Sequence, residues 1–557
     1  MRAVRITSAL LGGVAASVLV TLAGAWIGSG LSGPVIAAAW AVGIAVVLGV
    51  LLSSFGDPEP RKPTAADIVL LALYAAASLR AFLWLVYADG NAWKVLSPNN
   101  LGDLSLHWSL IRYLASTGHW WPASPILAGD PLRYPFGSDL FNALLLRSGV
   151  PLPQGLIGCA LVGAVLTGVA LWRWGGAMAV AALIFNGGMA GFAALVGSGN
   201  DPDSHSEWKN LFLTLFVTQR GFLFALPAGL FLLCDWRRWI RQPEAPGLLP
   251  VPVAVLFLCA IPFFSVHTAL FLGAMMAGIV LLNPPVRFRM STLVLIAWPL
   301  MAVTGWLVTS GAGGHSAAGS IGWAPGWMSN GSVGFWFWNF GILPALALVL
   351  LVLVLRGRGE PEDRPFVFVS LFVFVSCLLV RFAPWPWDNT KLMLWCWLAL
   401  IPSLWRLVIR PCPIPLRILL LVLLFGSGAV SLALGLDGRH GYEMADRVAM
   451  EDADRLLRDV PADAVIACSP EYNHPVLLAG HRAVCGYEGH LWSHGLDYKG
   501  RRDLLDSVMK GEPGWREKAR SLGVSRIYWS ELEAKRWPDS KLPWTGAEGM
   551  PSLHALE

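Results

Sequence analysis

The chain has 557 residues, of which 55% are hydrophobic and only 14% carry a charge. Soluble globular proteins have about 25% charged residues, so this composition excludes an ordinary soluble enzyme and indicates a protein solvated by lipid. The net charge of +5 is small and spread along the chain, which argues against a nucleic-acid-binding protein. We therefore expect membrane lipids, and no nucleic acid, among its partners.

Two apolar runs come first, and a polar linker follows them. Arg2 and Arg5 precede the first run, which is too long for the apolar core of a signal peptide, and the second run follows Gly33-Pro34. The linker contains three prolines and four charged residues between positions 56 and 66. We interpret residues 1–66 as two additional N-terminal transmembrane helices and a cytoplasmic linker.

The central part of the chain, residues 67–437, is dominated by apolar runs. A span near 68–86 is followed by a long polar loop, 87–153, and the run 249–283 is too long for one span of about 20 residues. Because that run contains Pro262 and His267, we predict two short helices with His267 at the turn. The other predicted spans lie near 155–172, 176–195, 218–235, 291–310, 334–356, 366–382, 390–409 and 414–436. The chain would then have about 13 transmembrane helices.

The placement of basic residues predicts the orientation of these spans. Positive residues collect on the cytoplasmic side of a membrane, and with a cytoplasmic N-terminus every basic cluster in a short loop falls on that side. Arg381 and Lys391, at outer span ends, are isolated exceptions. The opposite face then receives the loops 87–153 and 196–217. We predict a multi-pass protein of the inner or plasma membrane. Most of the polar residues that could take part in catalysis would lie on its outer face.

The composition of residues 438–557 is that of a soluble domain. The sequence predicts a helix over 443–460, short buried strands at 464–468, 483–486 and 525–529, and helices near 499–510 and 514–521. This alternation predicts a small extracytoplasmic α/β domain with a largely parallel sheet. Cys468 and Cys485 lie in it and could form a disulfide.

Asp103 and His107 are the first candidates for catalysis. They lie in the 87–153 loop four residues apart, so on a helix they share one face. A carboxylate at the mouth of a helix bundle can accept the proton of an attacking hydroxyl. Asp103 could equally be a helix N-cap, because aspartate is favoured there. The sequence leaves both interpretations open.

Four cations lie where predicted spans meet the outer face. Arg220 enters an apolar run, where charged groups are costly and tend to be functional. It could bind the phosphate of a lipid-linked donor or could snorkel to the interface. His267, Arg381 and Lys391 could stabilise a phosphate leaving group, whereas snorkelling of Arg381 and a local ion pair of Lys391 with Asp388 are the structural alternatives.

The segment from Arg133 to Asp139 (RYPFGSD) is a turn that carries a cation, a phenol and an acid. A cap at Ser138 or Asp139 is the structural alternative, whereas the guanidinium of Arg133 matches the geometry of phosphate. The candidate substrate-binding residues are Arg133, Tyr134, Asp139, Gln219 and Asp388.

Four histidines, His474, His481, His490 and His494, lie close together in the C-terminal region. No Cys-x-x-Cys or His-Glu-x-x-His motif accompanies them, so the pattern favours a packed loop and we predict no metal ligand.

These features together resemble the GT-C superfamily of polytopic glycosyltransferases. The phrases LRYPFGSDL (132–140), WDNTKL (387–392) and YNHPVLLAGHRAVCGYEGHLWSHGLDY (472–498) are similar to those of uncharacterised bacterial and archaeal GT-C-like membrane proteins. The resemblance implies that residues 67–437 form a GT-C-like transmembrane catalytic domain. It would transfer a hexose or pentose from a polyprenyl-phosphate donor to a glycan, lipid or protein acceptor in the biosynthesis of cell-envelope glycans.

The resemblance also implies roles for individual residues. Asp103 would be the general base, Arg220 and Lys391 would bind the donor phosphate with His267 and Arg381 as further candidates, and His107 would orient Asp103 or contact the acceptor. The large loop follows the third span here, and no Asp-x-Asp occurs in it, so a divalent cation (Mg or Mn) is not required by these motifs.

Two other functions remain open. A flippase or transporter for lipid-linked glycans would carry ionisable groups at mid-membrane and inverted repeats, neither of which the sequence shows. A catalytically degenerate GT-C scaffold would instead act as a binding protein through its C-terminal domain.

Overall fold

The structure is a computed structural model that describes residues 2–28, 30–53, 62–195, 208–312, 321–325, 333–438, 441–544 and 551–556. Most of the expected 196–217 loop, and much of the expected linker that ends at residue 66, lie outside the described residues.

Helices dominate the chain. In order they are α1 (Arg2–Gly28), α2 (Gly33–Leu52), α3 (Ala65–Leu83), α4 (Asn100–Ser116), α5 (Gly137–Arg147), α6 (Leu152–Gly175), α7 (Ala177–Ile184), α8 (Ala190–Leu195), α9 (Phe222–Arg241), α10 (Val251–Phe264), α11 (Val266–Leu282), α12 (Arg287–Ser310), α13 (Val333–Phe340), α14 (Leu343–Leu355), α15 (Asp363–Leu379), α16 (Thr390–Leu404), α17 (Ile414–Asp437), α18 (Arg447–Leu456), α19 (Pro475–Leu478), α20 (Glu488–Ser493), α21 (Lys499–Met509), α22 (Trp515–Ser521) and α23 (Glu531–Arg536).

The strands are few and short. They are β1 (Tyr87–Asp89), β2 (Ala92–Val95), β3 (Gly322–Trp323), β4 (Val380–Arg381), β5 (Tyr442–Asp446), β6 (Val465–Ala467), β7 (Arg482–Ala483), β8 (Val524–Trp529) and β9 (Ser552–Ala555).

Several of these helices can cross a membrane. Within the described residues, seven segments are long and apolar enough: Ala3–Gly28, Gly33–Leu52, Ala65–Leu83, Leu152–Gly175, Pro284–Ser310, Trp387–Ile409 and Ile414–Asp437. An eighth would be α13 with α14, which are bent by 86°. The chain is therefore a polytopic α-helical membrane protein. The count of about 13 spans stays a prediction, because other expected spans fall on shorter helices such as α10 and α11.

The predicted break in the run 249–283 is confirmed at Ser265, which is extended (φ −160°, ψ 107°) between α10 and α11. Its hydroxyl accepts a hydrogen bond from the backbone N–H of Thr268 (3.2 Å) and so caps α11. Just before α10 begins, the N–H of Leu249 donates to Asp235 in α9 (3.3 Å). The end of α11, at Leu282, lines a small cavity with residues that follow α9. The run therefore turns back at Ser265.

The region after α17 begins with a strand and not with the expected helix. Tyr442–Asp446 pairs antiparallel with β2 of the polar loop, as Val95 opposite Tyr442 shows. The prediction of a helix from 443 was wrong for these residues, because they complete the β1-β2-β5 sheet. The helix begins at Arg447, where the Asp446 carboxylate accepts from the N–H of Val448 (2.7 Å).

The rest of this region contains a four-stranded sheet in the order β7-β6-β8-β9. Strand β6 pairs parallel with β7 and β8, whereas β9 is antiparallel to β8. Strands β6 and β8 lie at positions where the sequence predicts short strands, whereas β7 overlaps the strand predicted at 483–486 only at Ala483. Cys468 and Cys485 are buried free thiols, so the disulfide is not formed. The division of the chain at 66/67 and 437/438 stays a prediction.

Helix α4 is held firmly against the C-terminal region. Asp463 accepts hydrogen bonds from the Tyr113 hydroxyl (2.9 Å), the Thr117 hydroxyl (2.7 Å) and the backbone N–H of Gly118 (3.1 Å). Near the other end of the helix, the Asn473 amide donates to the carbonyl of Leu101 (3.3 Å). The helix that carries Asp103 is therefore positioned from both of its ends by residues distant in sequence.

Candidate active site

A cavity of about 900 Å³ lies where α4, the turn before α5, the starts of α9, α11 and α16, and the C-terminal region meet. Most of the residues proposed from the sequence line it: Asp103, His107, Arg133, Tyr134, Gln219, Arg220, His267, Asp388 and Lys391. Such concave sites with convergent polar groups are the usual places for ligand binding.

Two proposed residues do not line the cavity. Asp139 is 1% exposed and lies behind His107, to which it is hydrogen-bonded. Arg381 belongs to β4, whose backbone pairs with Gly322. Neither side chain is therefore placed to contact a ligand in this cavity directly.

Four helices begin at the wall of the cavity: α4 after Asn99, α9 after Gly221, α11 after Ser265 and α16 two residues after Asp388. The first N–H groups of a helix lack intrahelical acceptors and carry partial positive charge. Helix starts are consequently favourable places for anions. At α4 and α9, however, the first N–H groups donate to preceding carbonyls, as Asn100 does to Ser97 (3.0 Å) and Phe222 to Gln219 (3.0 Å). The positive charge at the cavity wall therefore comes mainly from the cationic side chains.

Asp103 lies in the first turn of α4, where its carboxylate accepts a hydrogen bond from the Gln219 side chain (Nε2 to Oδ2, 3.0 Å). Burial raises the pKa of Asp103, the neighbouring His107, Lys391 and Arg220 oppose this rise, and Asp388 adds to it. The N-cap of α4 is Asn99 and not Asp103. The geometry therefore offers a carboxylate whose proton affinity is increased, as a general base requires.

His107 and Asp139 form a buried pair beside this carboxylate. Nδ1 of His107 lies 2.7 Å from Oδ1 of Asp139, and the two residues are 2% and 1% exposed. Burial raises the pKa of Asp139, while His107 lowers it. Within the described part of the chain, Nε2 of His107 has no hydrogen-bond partner. His107 also lines the cavity, so this nitrogen is available for a hydrogen bond with a ligand.

Arg220 is 2% exposed and therefore does not snorkel. Its Nε donates to the carbonyl of Thr218 (3.3 Å), and its guanidinium lies 5.9 Å from the ring of Phe82. Neither Nη1 nor Nη2 has a hydrogen-bond partner among the described residues. A buried guanidinium with two unpaired donors is costly unless an anion supplies the acceptors.

Lys391 is held by Asp388, whose Oδ1 lies 3.0 Å from Nζ. The local ion pair suggested as its structural alternative is therefore present. Both side chains still line the cavity, so the pair contributes one fixed charge of each sign to its wall. On the adjoining start of α11, Nε2 of His267 is buried and lacks a partner among the residues that the structure describes.

Two residues that line the cavity were not predicted from the sequence. Tyr472 and His494, from the C-terminal region, line the cavity. A Cβ on Gly102 would lie 2.9 Å from the Tyr472 hydroxyl and 3.2 Å from Nε2 of His490, so the C-terminal region reaches the residue next to Asp103. The phrase 472–498 marks this segment in the sequence, but nothing in it indicates which elements it contacts.

The four histidines of this segment have different surroundings. His474 lies 2.8 Å from Glu533, with both residues fully buried. Burial lowers the pKa of His490 to about 4 and that of His494 to about 3, so both rings are neutral at physiological pH. The described residues contain no group of three or more His, Cys, Asp or Glu side chains that could hold a metal ion.

The fold and the cavity thus define a polytopic membrane protein with a polar, partly cationic site at one end of its helices. No family model and no curated protein matches the sequence. Among solved structures, the chain is similar to the oligosaccharyltransferase of Archaeoglobus fulgidus in its apo form. The two are 13% identical, the match covers 83% of this chain and 69% of that one, and the TM-score is 0.48.

Proposed function

We propose that the chain is a GT-C-type glycosyltransferase that moves a sugar from a polyprenyl-phosphate donor to an acceptor hydroxyl. One observation carries the proposal: the Asp103 carboxylate and the buried, incompletely paired guanidinium of Arg220 belong to the wall of one cavity. A base and an anion-binding cation at one site are what this transfer requires, because the acceptor loses a proton while the donor releases a phosphate.

The donor phosphate would bind at Arg220 and Lys391. A guanidinium can give a phosphate two parallel hydrogen bonds. Apolar side chains at the ends of neighbouring helices line the same cavity, among them Phe264, Val266 and Val308. A hydrophobic wall next to an anion site fits a phosphate that is attached to a polyprenyl chain.

The transfer would proceed by direct displacement with inversion at the anomeric carbon. The acceptor oxygen attacks that carbon from the side opposite the phosphate, and its proton passes to Asp103. The bond between the anomeric carbon and the phosphate oxygen breaks, and its electron pair leaves with the lipid phosphate. Arg220 and Lys391 stabilise the charge that develops there. Nε2 of His107 is available to accept a hydrogen bond from the acceptor.

The experiment is transfer of labelled hexoses and pentoses from polyprenyl-phosphate donors by the purified chain. We expect Asp103→Asn to lower kcat by about 100-fold or more, which is the usual contribution of a general base. Asp459→Asn is the matched control, because Asp459 is exposed on the C-terminal region. Full activity of Asp103→Asn would remove the proposed base. Movement of a lipid-linked sugar across the membrane of vesicles that contain the protein, without formation of a new glycosidic bond, would indicate a transporter instead.

The proposal also includes an orientation in the membrane. With the N-terminus in the cytoplasm, the cavity and residues 438–557 would face outward, where lipid-linked sugars of the cell envelope are used. An alkaline phosphatase fused to the C-terminus should then be active in a bacterial host, because that enzyme matures only outside the cytoplasm. An inactive fusion that is well expressed would reverse this orientation.

A further inference from the structure

We propose that an aromatic rim, formed by Trp385, Trp387, Tyr472 and Trp492, binds a saccharide ring and is the acceptor subsite of the cavity. The place of this subsite in the reaction rests on the proposed function, but the binding itself does not. Trp385, Trp387 and Tyr472 line the cavity directly. Trp492 joins them through a ring contact with Trp385.

The tryptophan rings form a connected surface. Trp385 and Trp387 are stacked, with centroids 5.2 Å apart and planes inclined by 28°. Trp492 lies 6.3 Å from Trp385 at an angle of 54°. Trp385 is 38% exposed and Trp492 is 59% exposed. Large apolar faces therefore remain open to solvent beside a polar cavity, and exposed apolar surface of this kind marks a binding site when it is contiguous.

A position at the membrane interface does not account for the whole rim. Trp387 begins the candidate span Trp387–Ile409, as an interfacial tryptophan would. Trp492, however, lies in α20 of the C-terminal region, which belongs to none of the candidate spans among the described residues. The two segments are in close contact, because a Cβ on Gly495 would lie 2.8 Å from Cγ of Pro384. The rim thus depends on the docking of the C-terminal region.

A saccharide matches both properties of this surface. One face of a pyranose ring presents C–H groups, which pack on the electron-rich face of an aromatic ring, while its edge presents hydroxyls. Hydrogen-bonding groups that can contact those hydroxyls line the same cavity, among them Asn99, Asp388 and Ser493. An aliphatic chain would leave these polar groups without partners, and an extended peptide has no flat apolar face of comparable size.

The difference in solvent exposure between Arg220 and the rim tryptophans distinguishes the acceptor site from the donor site. Arg220, the proposed phosphate ligand, is 2% exposed, whereas Trp385 and Trp492 are far more open. The phosphate therefore binds in the interior and the rim receives a molecule that arrives from solvent. A Cβ on Gly102 would lie 2.9 Å from the Tyr472 hydroxyl, so this member of the rim is next to the residue that precedes the proposed base.

The test measures sugar binding without turnover. Full-length protein in nanodiscs is examined by saturation-transfer NMR with cellobiose, maltose and N,N′-diacetylchitobiose as probes. We expect at least one probe to receive saturation on the C–H protons of one ring face, and Trp385→Ala and Trp492→Ala each to weaken its binding by about 3- to 10-fold. Trp298→Ala is the matched control, because Trp298 is 56% exposed on α12, within a candidate span.

Three outcomes would overturn the inference: no saturation of any probe, equal binding by the wild type and both rim variants, or equal weakening by Trp298→Ala. A second measurement, with the lipid-linked donor, distinguishes binding of the acceptor sugar at the rim from binding of the donor sugar. Thermal stabilisation by a polyprenyl-phosphate hexose should be unchanged in Trp492→Ala, and its loss would assign the rim to the donor. Asp103→Asn should retain sugar binding. Sugar binding without any transferase activity would therefore refute only the proposed function.

Discussion

Replacement of Arg220 by methionine separates a functional from a structural role of this residue. The side chain keeps its approximate length and loses its charge. Among the described residues it has one hydrogen bond of 3.3 Å to the Thr218 carbonyl, a ring contact at 5.9 Å with Phe82, and electrostatic attraction to Asp103 and Asp139 that its burial outweighs. The hydrogen bond and the ring contact contribute about 1–2 kcal/mol at most. An incompletely paired charge in a buried position costs several kcal/mol. We therefore expect the ligand-free variant to be as stable as the wild type, or more stable by about 1–3 kcal/mol.

Catalysis should respond in the opposite direction. Two charge-assisted hydrogen bonds to a phosphate contribute about 1.5–3 kcal/mol each, so their loss should lower kcat/KM by about 10²- to 10⁴-fold. A polyprenyl monophosphate at about 100 times its Kd should stabilise the wild type by about 2.7 kcal/mol and leave Arg220→Met unchanged.

The assay is thermal unfolding with and without that lipid, together with transfer kinetics. Arg458→Met is the matched control, because Arg458 is exposed. A variant that unfolds more readily while it retains lipid stabilisation would refute the reasoning, since it would show that Arg220 supports the fold and does not bind the phosphate.

Three further predictions concern the surroundings of the base. Asp139→Asn should lower kcat by about 10- to 100-fold with little change in KM, because His107 loses the charged partner of its Nδ1; unchanged kcat would contradict this. Because burial raises the pKa of Asp103, kcat/KM should rise with pH through a pKa above the usual aspartate range, and a pH profile that is flat there would exclude this base. Gly102→Ala should lower activity, because its Cβ would displace the Tyr472 hydroxyl and the His490 ring from the residue next to Asp103. Gly500→Ala, with open space around it, should have no effect on transfer rates, and equal loss in both variants would contradict the steric argument.

The composition and the apolar runs were sufficient to predict the class of fold. A lipid-facing helix and a buried apolar helix have the same composition, however, so the number of spans could not be counted reliably. The break near His267 was predictable because a run of that length cannot be one span and because proline and polar residues interrupt it. The strand Tyr442–Asp446 was not predictable, since its pairing partner, β2, is more than three hundred residues away in the chain.

The site was predictable where its chemistry is local. Asp103 and His107 share a helix face, and Arg220 stands out as a charge in an apolar run. The position of Tyr472 in the cavity wall and the pairing of His107 with Asp139 depend on contacts between distant segments. No rule of residue spacing reveals such contacts. For the same reason the exposed rings of Trp385 and Trp492 look like ordinary interfacial tryptophans until their contact is known.

The three hydrogen bonds that Asp463 accepts from Tyr113 in α4 and from Thr117 and Gly118 just after it bear on how this protein can be divided into fragments. A truncation after residue 437, where the composition changes, would strip Tyr113 of its partner and uncover a face of α4 that is now buried. It would also delete Tyr472 and His494 from the cavity. Residues 438–557 and the membrane helices therefore share one cavity, and we expect neither part to keep this cavity intact when it is expressed without the other.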